Sequence, residues 1–444
     1  MEKILHSPRL NGTVRAPSSK SEAHRALITA ALAALYGAGE GVRRIRCTDL
    51  NQDIEATARC LEALGAGLER VGEDYLVKPI TLLPREAMLD CGESGSTLRF
   101  LLPVCCTLGG TAVAPKGFTV SLLGHGRLPE RPLSPLYEEL VAHGAVLSPM
   151  GSNPLVVQGE IRAGDYAVDG GVSSQFISGL LFALPLLQGD STLTVTGRIE
   201  SAPYIGMTVD AITRVTGALR GELPTFPITG RGGHAEMPAL TNTPAVGGDW
   251  SGAAFFITAG ILGEDGSSLI LTGLDPRSRQ GDKAIVDLLR GMGGRIEWDE
   301  HGNLTAFPSR LHGCVMDATQ VPDLVPILAV AASVAEGETR IVGAARLRLK
   351  ESDRLRTVSD MISALGGNIT ETPDGLIIQG VPRLKGGTVC AAGDHRIAMS
   401  GAVAALVCDR EVTIIGAESV AKSYPAFWDE FERLGGRGSK ELCP

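Results

Sequence analysis

The chain has 444 residues, 44% of them hydrophobic and 4% aromatic, with a formal net charge of −9. That length suggests two or three domains with cores of their own, and the apolar share excludes a disordered chain. Few rings and an acidic balance also argue against a nucleic-acid or membrane-surface binder.

The first residues, Met1 to Pro8, lack the apolar run of a signal peptide. No apolar stretch approaches the ~20 residues needed to span a bilayer. The nine cysteines are scattered and form no CxxC pair, so they read as reduced thiols of a cytoplasmic protein. Glycine is frequent, with 56 residues, which predicts many tight turns.

Six segments are apolar nearly all round: 26–35, 97–108, 175–187, 251–262, 323–333 and 397–407. Each is long enough for a helix and follows a cluster of Gly, Ser, Pro or Asp. A helix without a polar face must be buried on all sides. After each comes an amphipathic segment that ends on a glycine: Gly65, Gly144, Gly217, Gly293, Gly366 and Gly435. These glycines are 79, 73, 76, 73 and 69 residues apart. Each reads as the residue just past a helix, where φ > 0 is needed. The alternating stretches that follow, such as 145–157 and 369–378, read as hairpins with Gly or Asn turns. The chain therefore reads as α/β (α+β), with six units of one buried helix, one amphipathic helix and about four strands.

Six units are too many for one core, so two domains of three are expected. The stretch 223–243, rich in Pro, Gly and Thr, reads as a crossover between them. A solenoid is the other reading, but its repeats usually run to only 20–50 residues.

The starts of the buried helices carry the chemistry. A helix N-terminus is partially positive and favours an acidic or hydroxyl cap. Here several starts carry cations instead: Lys20 and Arg25, then Gly92–Arg99, and later Asp394-His395-Arg396. Ser173-Ser174-Gln175 opens the third. An anionic ligand shared between the cations and the helix dipoles would compensate. Taken alone, Ser18, Ser19, Ser173 and Asp323 also read as ordinary caps or first-turn acids, and His395 equally as a core histidine. Lysines are harder to dismiss. Only nine of the 41 cationic residues are Lys, and Lys20, Lys350 and Lys422 fall beside element starts. In the densest cluster, Arg346 to Arg354, Glu351 lies between Lys350 and Arg354 as a carboxylate open to tuning; a solvated edge strand is the alternative.

Eight motifs in this order resemble the 5-enolpyruvylshikimate-3-phosphate synthase family. They are Pro17–Arg25, Gly92–Arg99, Glu130-Arg131-Pro132, Ser173-Ser174-Gln175, Pro322-Asp323, Lys350–Arg354, Asp394-His395-Arg396 and Lys422. The resemblance covers essentially the whole chain. It implies a two-domain inside-out α/β barrel of six βαβαββ units, with domains 20–238 and 1–19 plus 239–444 and the site in the cleft between them. It implies a metal-free, cofactor-free monomer that joins phosphoenolpyruvate to the 5-hydroxyl of shikimate 3-phosphate.

By the same resemblance Asp323 accepts the hydroxyl proton, Glu351 donates to the methylene, and Lys20 contacts both substrates. Ser21, Arg25, Ser173, Ser174, Gln175, Ser201, Asp323 and Lys350 would hold shikimate 3-phosphate. Gly95, Arg131, Gln175, Arg354, Arg396 and Lys422 would hold phosphoenolpyruvate. Gly95, where glyphosate-tolerant members often carry Ala, implies sensitivity to that inhibitor. The chain departs from the family pattern at Arg346, which is Asn in some members, and at Phe100, which is often Pro. Two rivals are the UDP-N-acetylglucosamine enolpyruvyl transferases and a non-catalytic repeat scaffold. The former carry Lys-Asn where this chain has Lys20-Ser21, and usually a Cys in the loop that here reads Gly124–Pro129.

Overall fold

The computed structural model describes residues 1–216, 219, 221–231, 245–436 and 438–439. Gly217, the expected crossover from Gly232 onward, the expected 238/239 boundary and Cys443 lie outside them. The chain divides into two compact units, one of Met1–Pro17 with Gly247–Pro444 and one of Ser18–Val246.

Twelve α-helices among the described residues alternate between two kinds. The segment Ser18–Val246 holds α1 (Lys20–Ala31), α2 (Gln52–Ala63), α3 (Gly95–Leu108), α4 (Leu136–Ala142), α5 (Ser174–Ala183) and α6 (Ala202–Thr216). The other unit holds α7 (Trp250–Ile261), α8 (Ile285–Gly291), α9 (Val325–Ser333), α10 (Arg354–Ala364), α11 (His395–Ala404) and α12 (Phe427–Arg433). The odd-numbered helices are the apolar ones. Every residue of α9, Val-Pro-Ile-Leu-Ala-Val-Ala-Ala-Ser, is buried. Val and Ile are weak helix formers, so burial drives this helix, at about 1.5–3 kcal/mol for each large side chain. The even-numbered helices have a polar face. In α10, Leu355, Val358, Met361 and Ile362 are buried, while Arg356 and Asp360 face water.

Among the described residues, each unit has its own apolar core and three small sheets. In the second repeat, strands Glu86–Asp90 and Thr119–Leu123 pair in parallel across α3. Thr119–Leu123 then pairs antiparallel with Leu155–Gly159, which returns to Ala145–Leu147. The same plan recurs around α5, α9 and α11, where parallel pairs again flank the buried helix. In the unit built on Gly247–Pro444, α7, α9 and α11 pack on one another. Helices inside and sheets outside give each unit the inside-out α/β plan.

The repeat glycines sit where expected. Gly65 follows the C-cap Leu64 at φ 98°, and Gly144, Gly293, Gly366 and Gly435 also have positive φ. A Cβ on Gly65 would lie 2.4 Å from the Leu82 carbonyl oxygen, so no other residue fits.

Some boundaries differ. α1 starts at Lys20, the residue expected in its first turn, with Ser19 capping it through the Glu22 N–H, but it ends at Ala31 although the apolar segment runs on to Leu35. Asp323 lies in a 3-10 turn, Pro322–Leu324, before α9 begins. The hairpin of Asn368–Thr372 with Gly375–Gln379 turns at Pro373-Asp374, not at Gly or Asn. Among the described residues, eight cysteines are free thiols. No helix among the described residues is long and apolar enough to cross a membrane.

Candidate active site

The expectation that cations replace caps at the buried helix starts is corrected. Ser19, Ser94, Ser173, Asp249 and Asp394 cap α1, α3, α5, α7 and α11, and the cations stand beside these caps. Both demands of the helix end are thereby met: a hydroxyl or carboxylate takes a backbone N–H, and a long side chain reaches past it.

In the unit Ser18–Val246, Lys20 opens α1 and pairs with Asp53 of α2 at 2.7 Å. Arg25 is 4% exposed and fully engaged. It donates to Thr208 Oγ1 at 2.8 Å and to the carbonyls of Ser21 at 2.7 Å and Tyr204 at 2.8 Å. Burial lowers its pKa to about 10. It therefore ties the start of α1 to the start of α6. Ser201, just before α6, is buried with φ 54°, a strained value for a serine of the kind found at functional sites.

Gln175, in the first turn of α5, donates to Ser96 Oγ at 2.9 Å and accepts from Arg99 at 2.8 Å. Arg99 also donates to the Pro132 carbonyl at 3.0 Å, beside Arg131. The Arg131 guanidinium covers Gly95: a Cβ there would lie 2.8 Å from Nη1. The starts of α3 and α5 and the Arg131 loop are thus one assembly, with Ser173 and Ser174 at its edge.

In the other unit, Arg354 is the hub. It is 1% exposed and holds three carboxylates: Asp323 at 2.7 Å, Glu351 at 2.6 Å and Asp394 at 2.7 Å. Lys350 lies 3.4 Å from Asp323, and Arg396 meets the other Asp323 oxygen at 3.3 Å. Burial opposes ionisation of Asp323, but Arg396, Lys350 and Arg354 outweigh it and hold the carboxyl well below the usual range. Burial lowers Lys350 to about 8, with Arg346 and Arg354 adding to that and Asp323 opposing it. Arg346 sits on the 3-10 turn Ala345–Leu349 just before it. Lys422 donates to the Gly393 carbonyl at 2.7 Å, next to the fully buried Asp394.

Sequence reasoning missed Asp53 and Asp282, and it named Asp394 in a motif without giving it a role. Asp394 caps α11, and nothing in the sequence shows that it also binds Arg354 from 40 positions away. Asp282 is buried, contacts Ser251 of α7, and is raised to about 6 by burial and by Asp323. Its link to Asp323 and Arg396 brings the starts of α7, α9 and α11 together. Each unit therefore presents a cluster suited to anions, and the second adds paired carboxylates suited to proton transfer.

A family model, EPSP synthase (3-phosphoshikimate 1-carboxyvinyltransferase), matches residues 5–431. The 3-phosphoshikimate 1-carboxyvinyltransferase of Clostridium kluyveri is 40% identical over 435 residues, 97% of each chain. That of Clostridium perfringens is 40% identical over 441 residues, 98% of this chain and 99% of the relative. Among solved structures, EPSP synthase from Acinetobacter baumannii superposes with a TM-score of 0.78 at 25% identity, covering 99% of both chains. The UDP-N-acetylglucosamine and scaffold readings give way to these matches, and the chain belongs to the EPSP synthase (3-phosphoshikimate 1-carboxyvinyltransferase) family.

Proposed function

We propose that this transferase moves the enolpyruvyl group of phosphoenolpyruvate onto the 5-hydroxyl of shikimate 3-phosphate and releases phosphate. Protonation of the methylene carbon makes C2 electrophilic. The hydroxyl oxygen attacks C2 and loses its proton, forming a tetrahedral intermediate. Loss of a methyl proton and of phosphate then restores the C=C bond as an enol ether. The steps need proton transfer and charge neutralisation.

The observation that carries this reading is the Arg354 hub. One guanidinium holds Asp323 on Nη1 and Glu351 on Nη2, so two carboxylates sit side by side within reach of one substrate. Asp323 serves as proton acceptor and Glu351 as donor to the methylene. Lone Asp323 is a poor base while three cations hold it. Phosphate and carboxylate groups of the substrates would draw Lys350 and Arg396 away, and Asp323 would gain basicity as they bind.

Lys20, Ser21, Ser173, Ser174, Gln175, Ser201 and Lys350 serve shikimate 3-phosphate, with Arg25 holding their helix starts in place. Arg131, Gln175, Arg354, Arg396 and Lys422 serve phosphoenolpyruvate over Gly95, where glyphosate would also lie. Arginine suits bidentate capture of both anions. The enzyme works as a monomer in the cytoplasm.

Phosphate release from phosphoenolpyruvate tests the reading. Release is expected with shikimate 3-phosphate and not with UDP-N-acetylglucosamine. Release with the nucleotide sugar, or with neither acceptor, would overturn it.

A further inference from the structure

His24 is 1% exposed, sits one turn after Lys20 on α1, and has no part in the chemistry above. Its Nδ1 lies 2.7 Å from Thr57 Oγ1 on α2. Thr57 Oγ1 lies 2.7 Å from Thr97 Oγ1 in the first turn of α3. Thr97 donates in turn to Ser94 Oγ at 2.8 Å, the cap of α3 and the neighbour of Gly95. All three hydroxyls are buried.

The direction of this chain follows from its last link. The Thr97 proton goes to Ser94, so Thr57 must give its own to Thr97, and His24 must carry a proton on Nδ1 to satisfy Thr57. The other nitrogen, Nε2, is buried and has no hydrogen-bond partner, so placing the proton there instead would leave a donor unmade. The ring stays neutral. Burial disfavours its charge, and the cations of Lys20 and Arg25 on the same helix add to that, while Asp53 on α2 is taken by Lys20.

Phe100 completes the joint. Its ring meets His24 edge-on at 6.3 Å and lies under the Arg25 guanidinium at 5.0 Å. Here a ring stands where the family pattern often has Pro, and it packs α3 against the same turn of α1.

We propose that His24 is a positioning residue, which through Thr57 and Thr97 fixes the first turn of α3 at Gly95 against the first turn of α1 at Lys20. Two substrate sites on separate helices are thereby held in one register. This rests on the function proposed above, in which Lys20 and Gly95 meet substrates.

The test is steady-state kinetics on His24→Leu, Thr57→Val, their double variant and His24→Asn. An ångström of misplacement costs up to roughly 100-fold. His24→Leu should therefore raise the KM of both substrates by roughly 10- to 100-fold, with kcat changing less. Thr57→Val, near in shape, should do the same. The double variant should be no worse than either single one, because one chain is being cut twice. His24→Asn restores a donor near Nδ1 and should recover most of the loss. A wild-type Thr57→Val, or His24→Leu and His24→Asn equally impaired, would overturn the inference. If His24→Leu does not fold, Thr57→Val decides alone. Nitrogen-15 shifts of the wild-type His24 ring give a check free of activity: the Nδ1–H neutral tautomer is expected at neutral pH, and the Nε2–H tautomer would contradict it. Lack of wild-type turnover would instead refute the functional reading and leave this spectroscopic result standing.

Discussion

The two units meet anions in different ways. In Ser18–Val246 the polar groups at the buried helix starts are mainly hydroxyls and an amide, with Lys20 matched to Asp53 and Arg131 lying over Gly95. In the unit built on Gly247–Pro444 the cations are locked to carboxylates, three of them on Arg354. Neutral donors bind without titrating, whereas a carboxylate pinned by cations changes its basicity when a ligand takes those cations. The first arrangement suits holding substrates, and the second suits moving protons.

The sharpest way to break this contrast is Asp323→Asn. It keeps the shape and removes the base, so turnover should fall by roughly 10²–10⁴ while both substrates still bind. A phosphate-release assay on the purified variant measures it, and near-normal turnover would remove Asp323 from the chemistry. Next comes Arg354→Met. It strands the fully buried Asp394 and should cost about 3–5 kcal/mol of stability by denaturant unfolding. The matching Lys20→Met should cost far less, because Lys20 and Asp53 are partly exposed and can be rehydrated.

Asp282 sharpens the comparison through pH. Its folded value of about 6 lies above the unfolded carboxyl value, so the folded state keeps a proton that the unfolded state releases. Stability from this group is intact below about pH 4 and falls as pH rises to about 6. Asp249 and Asp323 face it with like charge, and Arg396 and Ser251 oppose them. Asp282→Asn should leave stability at low pH unchanged and add up to about 3 kcal/mol at neutral pH. An equal effect at both would show that the Asp282 carboxyl titrates alike in the folded and unfolded chain.

The smallest effect expected is at Gly95. The added methyl of Gly95→Ala would lie 2.8 Å from Arg131 Nη1, so the guanidinium must shift. A penalty of about 1–3 kcal/mol in phosphoenolpyruvate and glyphosate affinity follows, heavier for the longer inhibitor. Inhibition curves competing against phosphoenolpyruvate measure it, and equal constants in the two proteins would show that Gly95 does not line that position.

Much of this was legible in the sequence because it is local. A glycine after an amphipathic run, or nine apolar residues without a polar face, has one good structural solution. Lys350, Glu351 and Arg354 are close in sequence, so their cluster could be read directly. The rest was hidden by distance along the chain. Asp394 reaches Arg354 across 40 positions and His24 reaches Thr57 across 33. The start of α1 was legible although Lys20, Ser21 and Glu22 are polar, because the Pro17-Ser18-Ser19 cluster precedes them. Hydrophobic pattern places its buried part, and the Ser19 cap marks its first turn. Phe100 looked like a simple departure until its contacts with His24 and Arg25 gave it a packing role.

The central claim is that Asp323 moves protons while Lys20 holds both substrates. Calorimetric titration of shikimate 3-phosphate and phosphoenolpyruvate into Asp323→Asn and Lys20→Met tests it most directly. The account predicts that Asp323→Asn binds both ligands although its turnover is roughly 10²–10⁴-fold lower, and that Lys20→Met loses affinity for both. Lost binding in Asp323→Asn together with intact binding in Lys20→Met would contradict it.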